Sequence, residues 1–182
     1  KEVLTTEISI KDGAKDKSDE DIKGKLEFKN VSFKYPDAAE YVLRNINFTA
    51  NPGETVALIG STGSGKSSII NLIPRFYDTT EGEVLVDGTN VKEYTLKTLH
   101  DKIGYVPQKT VMFSGTVDTN VAYGESENVE YSEGAVKRAI QIAQGTDFVE
   151  KMSDQYNGEV AQSGANLSGG QKQRLAIARA VY

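Results

Sequence analysis

Apolar and polar positions nearly alternate from Leu26 through Phe28, Val31, Phe33 and Tyr35, with one break at Asn30, and predict a strand that stops before Pro36. Residues 42–50 form a second strand candidate, and Asn51-Pro52-Gly53-Glu54 a turn. Thr55-Val56-Ala57-Leu58-Ile59 is a run of β-branched and apolar residues, the mark of a buried strand. From Ser67 the period lengthens. Ile69, Leu72, Ile73 and Phe76 then make the core-facing stripe of a helix that opens at Ser67. Thr79-Thr80-Glu81-Gly82 is a turn, residues 83–86 a short strand, and Asp87-Gly88 a hairpin signal. Ile103-Gly104-Tyr105-Val106 is another strand candidate, closed by Pro107. Beyond it helices are predicted at 132–143, with Ala135, Ala139, Ile142 and Ala143 on one face, at 146–152, and at 171–181 with Leu175, Ala178 and Val181. Residues 163–170 make a small-residue loop, and no internal repeat is visible.

This alternation of strands and helices predicts an α/β fold: a mainly parallel core sheet, an antiparallel β-subdomain from residues 26–50 and 83–91, and a helical subdomain over about 115–170. The 182 residues suit one domain or one domain with a small subdomain, and 38% hydrophobic content is enough for a core. A net charge of −5 implies no general affinity for nucleic acid. Cysteine is absent, which excludes disulfides and cysteine-ligated metals and fits a reducing compartment. No run approaches the ~20 apolar residues of a membrane span, and no signal peptide is evident, so the composition predicts a soluble piece. Residues 1–25 mix charges with few large apolar groups and are expected to be a solvated linker.

The chemistry concentrates after the strand candidate at 55–59. Gly60, Gly65, Lys66 and Ser67 stand at the G-x-x-x-x-G-K-[ST] positions of a phosphate-binding loop, here Gly60-Ser61-Thr62-Gly63-Ser64-Gly65-Lys66-Ser67 with Ser68 following. Glycines at 60, 63 and 65 permit positive φ and close backbone approach, so that successive N–H groups can turn around a phosphate. The helix that follows adds its free N–H groups and the positive end of its dipole. Lys66 brings a full charge to the outer phosphates, and the Ser67 hydroxyl is placed to ligate Mg²⁺. Nucleotide binding, with Mg²⁺ as the accompanying ion, is the expectation.

Downstream, Leu167-Ser168-Gly169-Gly170-Gln171 resembles the signature sequence of ATP-binding-cassette (ABC) ATPases. Read by itself it is a serine and two glycines that expose N–H groups at a helix start, which suits either a plain helix cap or a phosphate. The resemblance runs from about Leu26 to the last residue, so residues 26–182 are expected to be an ABC ATP-binding domain of the P-loop NTPase fold. It implies that Tyr35 stacks on adenine, a reading the context favours over a strand-end core aromatic. It also implies that Gln108, in Val106-Pro107-Gln108, touches Mg²⁺ and the attacking water and senses a membrane domain; Lys66 and Gln108 are thus the candidate catalytic residues. Phe113-Ser114-Gly115-Thr116-Val117, Asn120-Val121-Ala122-Tyr123-Gly124, Arg75-Phe76-Tyr77-Asp78 and Gly82-Glu83-Val84-Leu85-Val86-Asp87-Gly88 are similar to the exporter branch. There the nucleotide-binding domain follows a transmembrane domain, and residues 1–25 would be the connection to it. The implied partners are a second ABC ATPase domain, head to tail across the signature, and that transmembrane domain through the Gln108 loop and residues 158–164. The implied place is the cytoplasmic face of a membrane.

Two departures from the family pattern stand out. The loop before the signature reads Gly158-Glu159-Val160-Ala161-Gln162-Ser163-Gly164, with Gln162 where exporters carry a glutamate. The Walker B aspartate, the adjacent catalytic glutamate and the switch histidine have no counterpart among the residues after the signature, so these residues are expected to lack normal hydrolysis as they stand. Val84-Leu85-Val86-Asp87 imitates a Walker B strand, but Gly88 follows and the pair makes a turn instead. Asp101-Lys102-Ile103-Gly104 imitates a GTPase element without any guanine-recognition motif to accompany it, and His100 reads as a surface helix residue. A non-hydrolytic nucleotide-binding half and an ABC ATPase of chromosome or repair machinery are the rival readings; no long heptad pattern supports the latter.

Overall fold

The computed structural model describes residues 9–16, 23–124 and 131–182 and divides into two compact units, 1–103 and 104–182. In the first, β1 (Leu26–Phe33) pairs on one side with β2 (Leu43–Ala50) and on the other with β3 (Glu81–Val86), which turns back into β4 (Thr89–Asn90). All of these ladders are antiparallel, in the order β2-β1-β3-β4. The break seen at Asn30 is a bulge: its φ is 51° and the register slips on both sides of β1 there. Asp87-Gly88 closes β3 and β4 as a two-residue hairpin, with φ of 51° and 80°, the conformation a type I′ turn needs. Phe28, Val31, Phe33, Leu43, Ile69 and Leu72 form the core beneath this sheet and bury the face of α1 (Lys66–Leu72).

Two predicted strands are corrected. Residues 54–60 and 103–106 form no strand, and no parallel ladder links them; the one parallel bridge among the described residues is Lys15 with Tyr94. A parallel core strand needs a partner on each edge and cover on each face. No described strand pairs with 54–60, and Val56 is 46% and Ile59 96% exposed. Apolar sequence alone cannot supply the missing neighbour. Phe76 also departs from its predicted stripe: α1 ends at Leu72, and Phe76 lies exposed beyond it with its ring edge-on to His100. His100 itself is an exposed residue of α2 (Leu96–Asp101), as expected.

Part of the charged run packs against the first unit. Residues 1–8 and 17–22 lie outside the described residues, but 12–16 are docked on the first unit. The Gly13 and Lys15 amides donate to the carbonyls of Tyr94 and Glu93 at 3.0 and 2.8 Å, and the Asp12 carboxylate accepts from Leu96 N at 2.8 Å. A Cβ at Gly13 would sit 2.1 Å from the Glu93 carbonyl oxygen, so only glycine fits this approach.

The second unit is mainly helical. A short ladder joins β5 (Gly115–Thr116) to β6 (Glu159–Val160), α3 (Val117–Val121) follows β5 directly, and α4 (Glu133–Ile142), α5 (Thr146–Val149) and α6 (Gly169–Val181) pack around Val117, Val121, Val149, Val160 and Leu175. Ser132 caps α4 by accepting from Ala135 N. Ala139 of α4 and its C-cap Ala143 are buried as predicted, but Val136 and Ile140 join them in place of Ala135 and Ile142, the latter 53% exposed. Val181 is exposed too, and α5 is shorter than the predicted 146–152. In α4 small residues left the apolar stripe ambiguous by one position, and packing decided it.

Candidate functional site

The phosphate loop rests on the start of β2. Gly65, just before α1, has φ 86°, and a Cβ on it would meet Leu43 Cδ2 at 2.7 Å. Gly63 has φ 82°, while Gly60 is required for a different reason: its Cβ would lie 2.6 Å from Ser64 Oγ. Gly63 and Gly65 therefore turn the backbone through left-handed conformations, and Gly60 lets it stay close to Ser64. Lys66 opens α1 and folds its ammonium onto the loop, donating to the carbonyls of Gly60 and Ser61, both at 2.7 Å, and to Ser64 Oγ at 3.2 Å. Ser61, Thr62, Gly63, Ser64 and Ser67 are exposed, and Ser68 is buried. An exposed loop with a cation already seated on its carbonyls fits an incoming phosphate, whose oxygens can replace those acceptors. Among the described residues no three His, Cys, Asp or Glu side chains converge to cage a metal. A divalent ion at Ser67 would therefore share its coordination with phosphate oxygens, the usual arrangement for Mg²⁺.

Tyr35 belongs to the same unit and reaches the loop's helix, its hydroxyl sharing a 2.9 Å hydrogen bond with Ser68 Oγ. Its ring meets Phe33 and Tyr77 edge-on, with centroids 4.9 and 5.0 Å apart. Tyr35 and Tyr77 line a cleft of about 530 Å³ with Pro36, Asp37, Phe76 and Ile10. Sequence reasoning did not assign Tyr77 a role. Its position depends on the turn after α1, where Arg75, only 5% exposed at φ 58°, pairs with Asp78 through Nε and Nη2 at 2.7 and 3.3 Å. The signal was present in Arg75-Phe76-Tyr77-Asp78, but nothing local marks the arginine as buried.

The other predicted residues lie in the second unit. Gln108 is exposed. Ser168 is the N-cap of α6 in a reciprocal box: Ser168 Oγ accepts from Gln171 N at 3.3 Å, and Gln171 Oε1 accepts from Ser168 N at 2.8 Å. Leu167 is buried beneath this cap, whereas Gly169 and Gly170 are exposed and a Cβ on either would meet nothing within 4 Å. In the preceding loop Gln162 is exposed, and Asn166 ties the segment down by donating to Glu159 O at 2.7 Å and accepting from Ala161 N at 3.0 Å. The segment after Gln108 is held from α6: Arg179 donates to Val111 O at 3.0 Å and to Asn120 O at 2.8 Å, and its guanidinium lies 5.5 Å from the Phe113 ring centroid. Burial pulls the Arg179 pKa below the usual guanidinium value.

Comparison with known proteins agrees with this arrangement. Residues 43–182 match the family described as ABC transporter. The chain is 48% identical over 162 residues to multidrug resistance protein 1 of Entamoeba histolytica, an alignment covering 88% of this chain and 12% of that protein. It is 45% identical over 162 residues to an ATP-dependent lipid A-core flippase of Haemophilus influenzae, covering 89% of this chain and 27% of that one. It thus spans between about an eighth and just over a quarter of the length of these relatives. A bacterial Atm1-family ABC exporter solved with ATP bound superposes with a TM-score of 0.88 at 35% identity, over 99% of this chain and 31% of that one. With a P-loop NTPase fold, a glycine-built loop at 60–67 and a family match over most of its length, the chain belongs to the ABC transporter family.

Proposed function

We propose that this chain is the ATP-binding domain of an ABC exporter, which couples ATP binding and hydrolysis to movement of a substrate across a membrane. The observation that carries the reading is the loop at 60–67, where two left-handed glycines shape the backbone and the Lys66 ammonium sits on carbonyls that a phosphate can displace. Gly60, Ser61, Thr62, Gly63, Ser64, Gly65, Lys66, Ser67 and Ser68 hold the phosphates, and Tyr35 stacks on the adenine. Mg²⁺ bound with ATP, at Ser67 and Gln108, would neutralise charge on the transferred phosphoryl group. Lys66 and Gln108 are the catalytic residues. Residues 26–182 make up the domain, with a helical subdomain at about 115–170, and 1–25 connect it to a transmembrane domain. Relatives named as a flippase and a multidrug resistance protein support the exporter assignment.

Leu167, Ser168, Gly169, Gly170 and Gln171 face the ATP of a second ABC ATPase domain, head to tail. Glycine at 169 and 170 costs helix stability and nothing in this chain's own packing requires it, which supports an approach from outside. The Gln108 loop and residues 158–164 meet the transmembrane domain, on the cytoplasmic face of the membrane. No helix among the described residues is long and apolar enough to cross it. The test is titration of a fluorescent ATP analogue: Lys66→Ala is expected to abolish high-affinity binding, and unchanged affinity overturns the site.

A further inference from the structure

Tyr35 and Ser68 stand 33 residues apart, one just past the end of β1 and the other in the first turn of α1, and their hydroxyls meet at 2.9 Å. Ser68 is only 4% exposed, so its hydroxyl has little water to fall back on, and the tyrosine satisfies it. The same bond ties the aromatic ring to the helix that carries Lys66 and Ser67. Phe33 and Tyr77 press that ring edge-on, at 4.9 and 5.0 Å, and Pro36 stiffens the chain immediately after it. The ring is therefore held between two perpendicular aromatic neighbours and at its tip.

We infer that Ser68 is a positioning residue for the nucleobase: through the Tyr35 hydroxyl it fixes the stacking surface relative to the phosphate loop before ATP arrives. The inference rests on the ATP site proposed above and adds to it a role for the tyrosine's oxygen and for a serine that need not touch the base. A ring already in place loses no rotamer freedom on binding, and this freedom is a cost of association for an unheld side chain. A phenylalanine would stack as well as a tyrosine but would lack the tether.

The experiment measures Mg·ATP and Mg·tripolyphosphate by competition against a fluorescent ATP analogue, using the purified chain and its Tyr35→Phe, Ser68→Ala, Ser68→Thr, double Tyr35→Phe/Ser68→Ala and Lys66→Ala variants. Loss of one hydrogen bond corresponds to about a 3- to 10-fold weakening. Tyr35→Phe is expected to weaken ATP by that factor and to leave tripolyphosphate unchanged, whereas Ser68→Ala, which also removes a phosphate contact, is expected to weaken both, ATP the more. The double variant should be no weaker than the weaker single, and Ser68→Thr should retain affinity. Unchanged ATP affinity in Tyr35→Phe overturns the inference, as do effects that multiply in the double variant. Equal weakening of ATP and tripolyphosphate by Ser68→Ala overturns it as well, because the serine would then act on phosphate alone. If Lys66→Ala changes neither ligand, the ATP site itself is wrong, a result distinct from each of these.

Discussion

Asn120 shows how one buried side chain can hold a loop. It is 1% exposed; its Nδ2 donates to the carbonyls of Phe113 and Thr116 at 2.8 and 2.9 Å, and its Oδ1 accepts from Phe113 N at 2.9 Å. Arg179 adds two more bonds, to the Asn120 carbonyl and to Oδ1 at 3.2 Å. Truncation to alanine strands several of these groups where water does not reach, so Asn120→Ala is expected to lower unfolding free energy by about 2–4 kcal/mol. Urea denaturation followed by circular dichroism measures it, and a loss below about half a kcal/mol would mean that water replaces the amide. At this scale little was legible in advance: the sequence shows an asparagine in a loop-like segment, while its partners lie up to 59 residues away.

Among the elements, α6 carries a conflict between its own stability and its setting. Its N-cap is well made by Ser168 and Gln171, yet its first two residues are glycines with open space around them. Gly169→Ala and Gly170→Ala are each expected to stabilise the isolated chain by about 0.5–1 kcal/mol, since alanine is the better helix former and nothing obstructs its methyl. On the head-to-tail arrangement proposed above, the same substitutions are expected to reduce ATP-driven pairing, because a methyl would project toward the partner's nucleotide. Thermal melts together with light scattering in ATP separate the two effects; a stabilised variant that pairs undiminished would show that the glycines are not there for the partner. The cap of α6 and the Asp87-Gly88 turn were both readable beforehand, since each is decided by three or four neighbouring residues.

For the molecule as a whole the question is turnover. Transfer of a phosphoryl group to water needs an oriented metal and a positioned nucleophile. In the site proposed above Lys66, Ser67 and Gln108 would supply part of this, and Asp87, the Walker B imitation, is engaged elsewhere. Its carboxylate accepts from the amides of Lys23 and Lys25 at 3.1 and 2.8 Å, at the tip of the hairpin. The 182 residues by themselves are therefore expected to bind ATP with little hydrolysis, a rate at least ~10²-fold below that of an ABC ATPase assayed with a Walker B aspartate and catalytic glutamate in place. Phosphate release from the purified chain measures it. Steady release that Lys66→Ala abolishes would contradict this, and Asp87→Asn would then be the variant to make.

What the sequence determined by itself was whatever a few adjacent residues settle. The phosphate loop needs glycine where φ is 82° and 86°, the hairpin needs Asp87-Gly88 where φ is 51° and 80°, and Ser132 and Ser168 cap the helices they precede. These conformational demands act within one turn of chain, so they leave a local trace. Tertiary structure alone decided the remainder. Residues 55–59 have every local feature of a strand but no ladder, because a ladder is a property of two segments. The docking of 12–16, with Asp16 accepting from Thr98 across 82 residues, depends on which surfaces meet. So does the Tyr35–Ser68 bond, which makes one site of two motifs the sequence keeps 33 residues apart. Neither residue type announces its partner, since a hydroxyl is satisfied equally by water, backbone or another side chain until packing removes the alternatives.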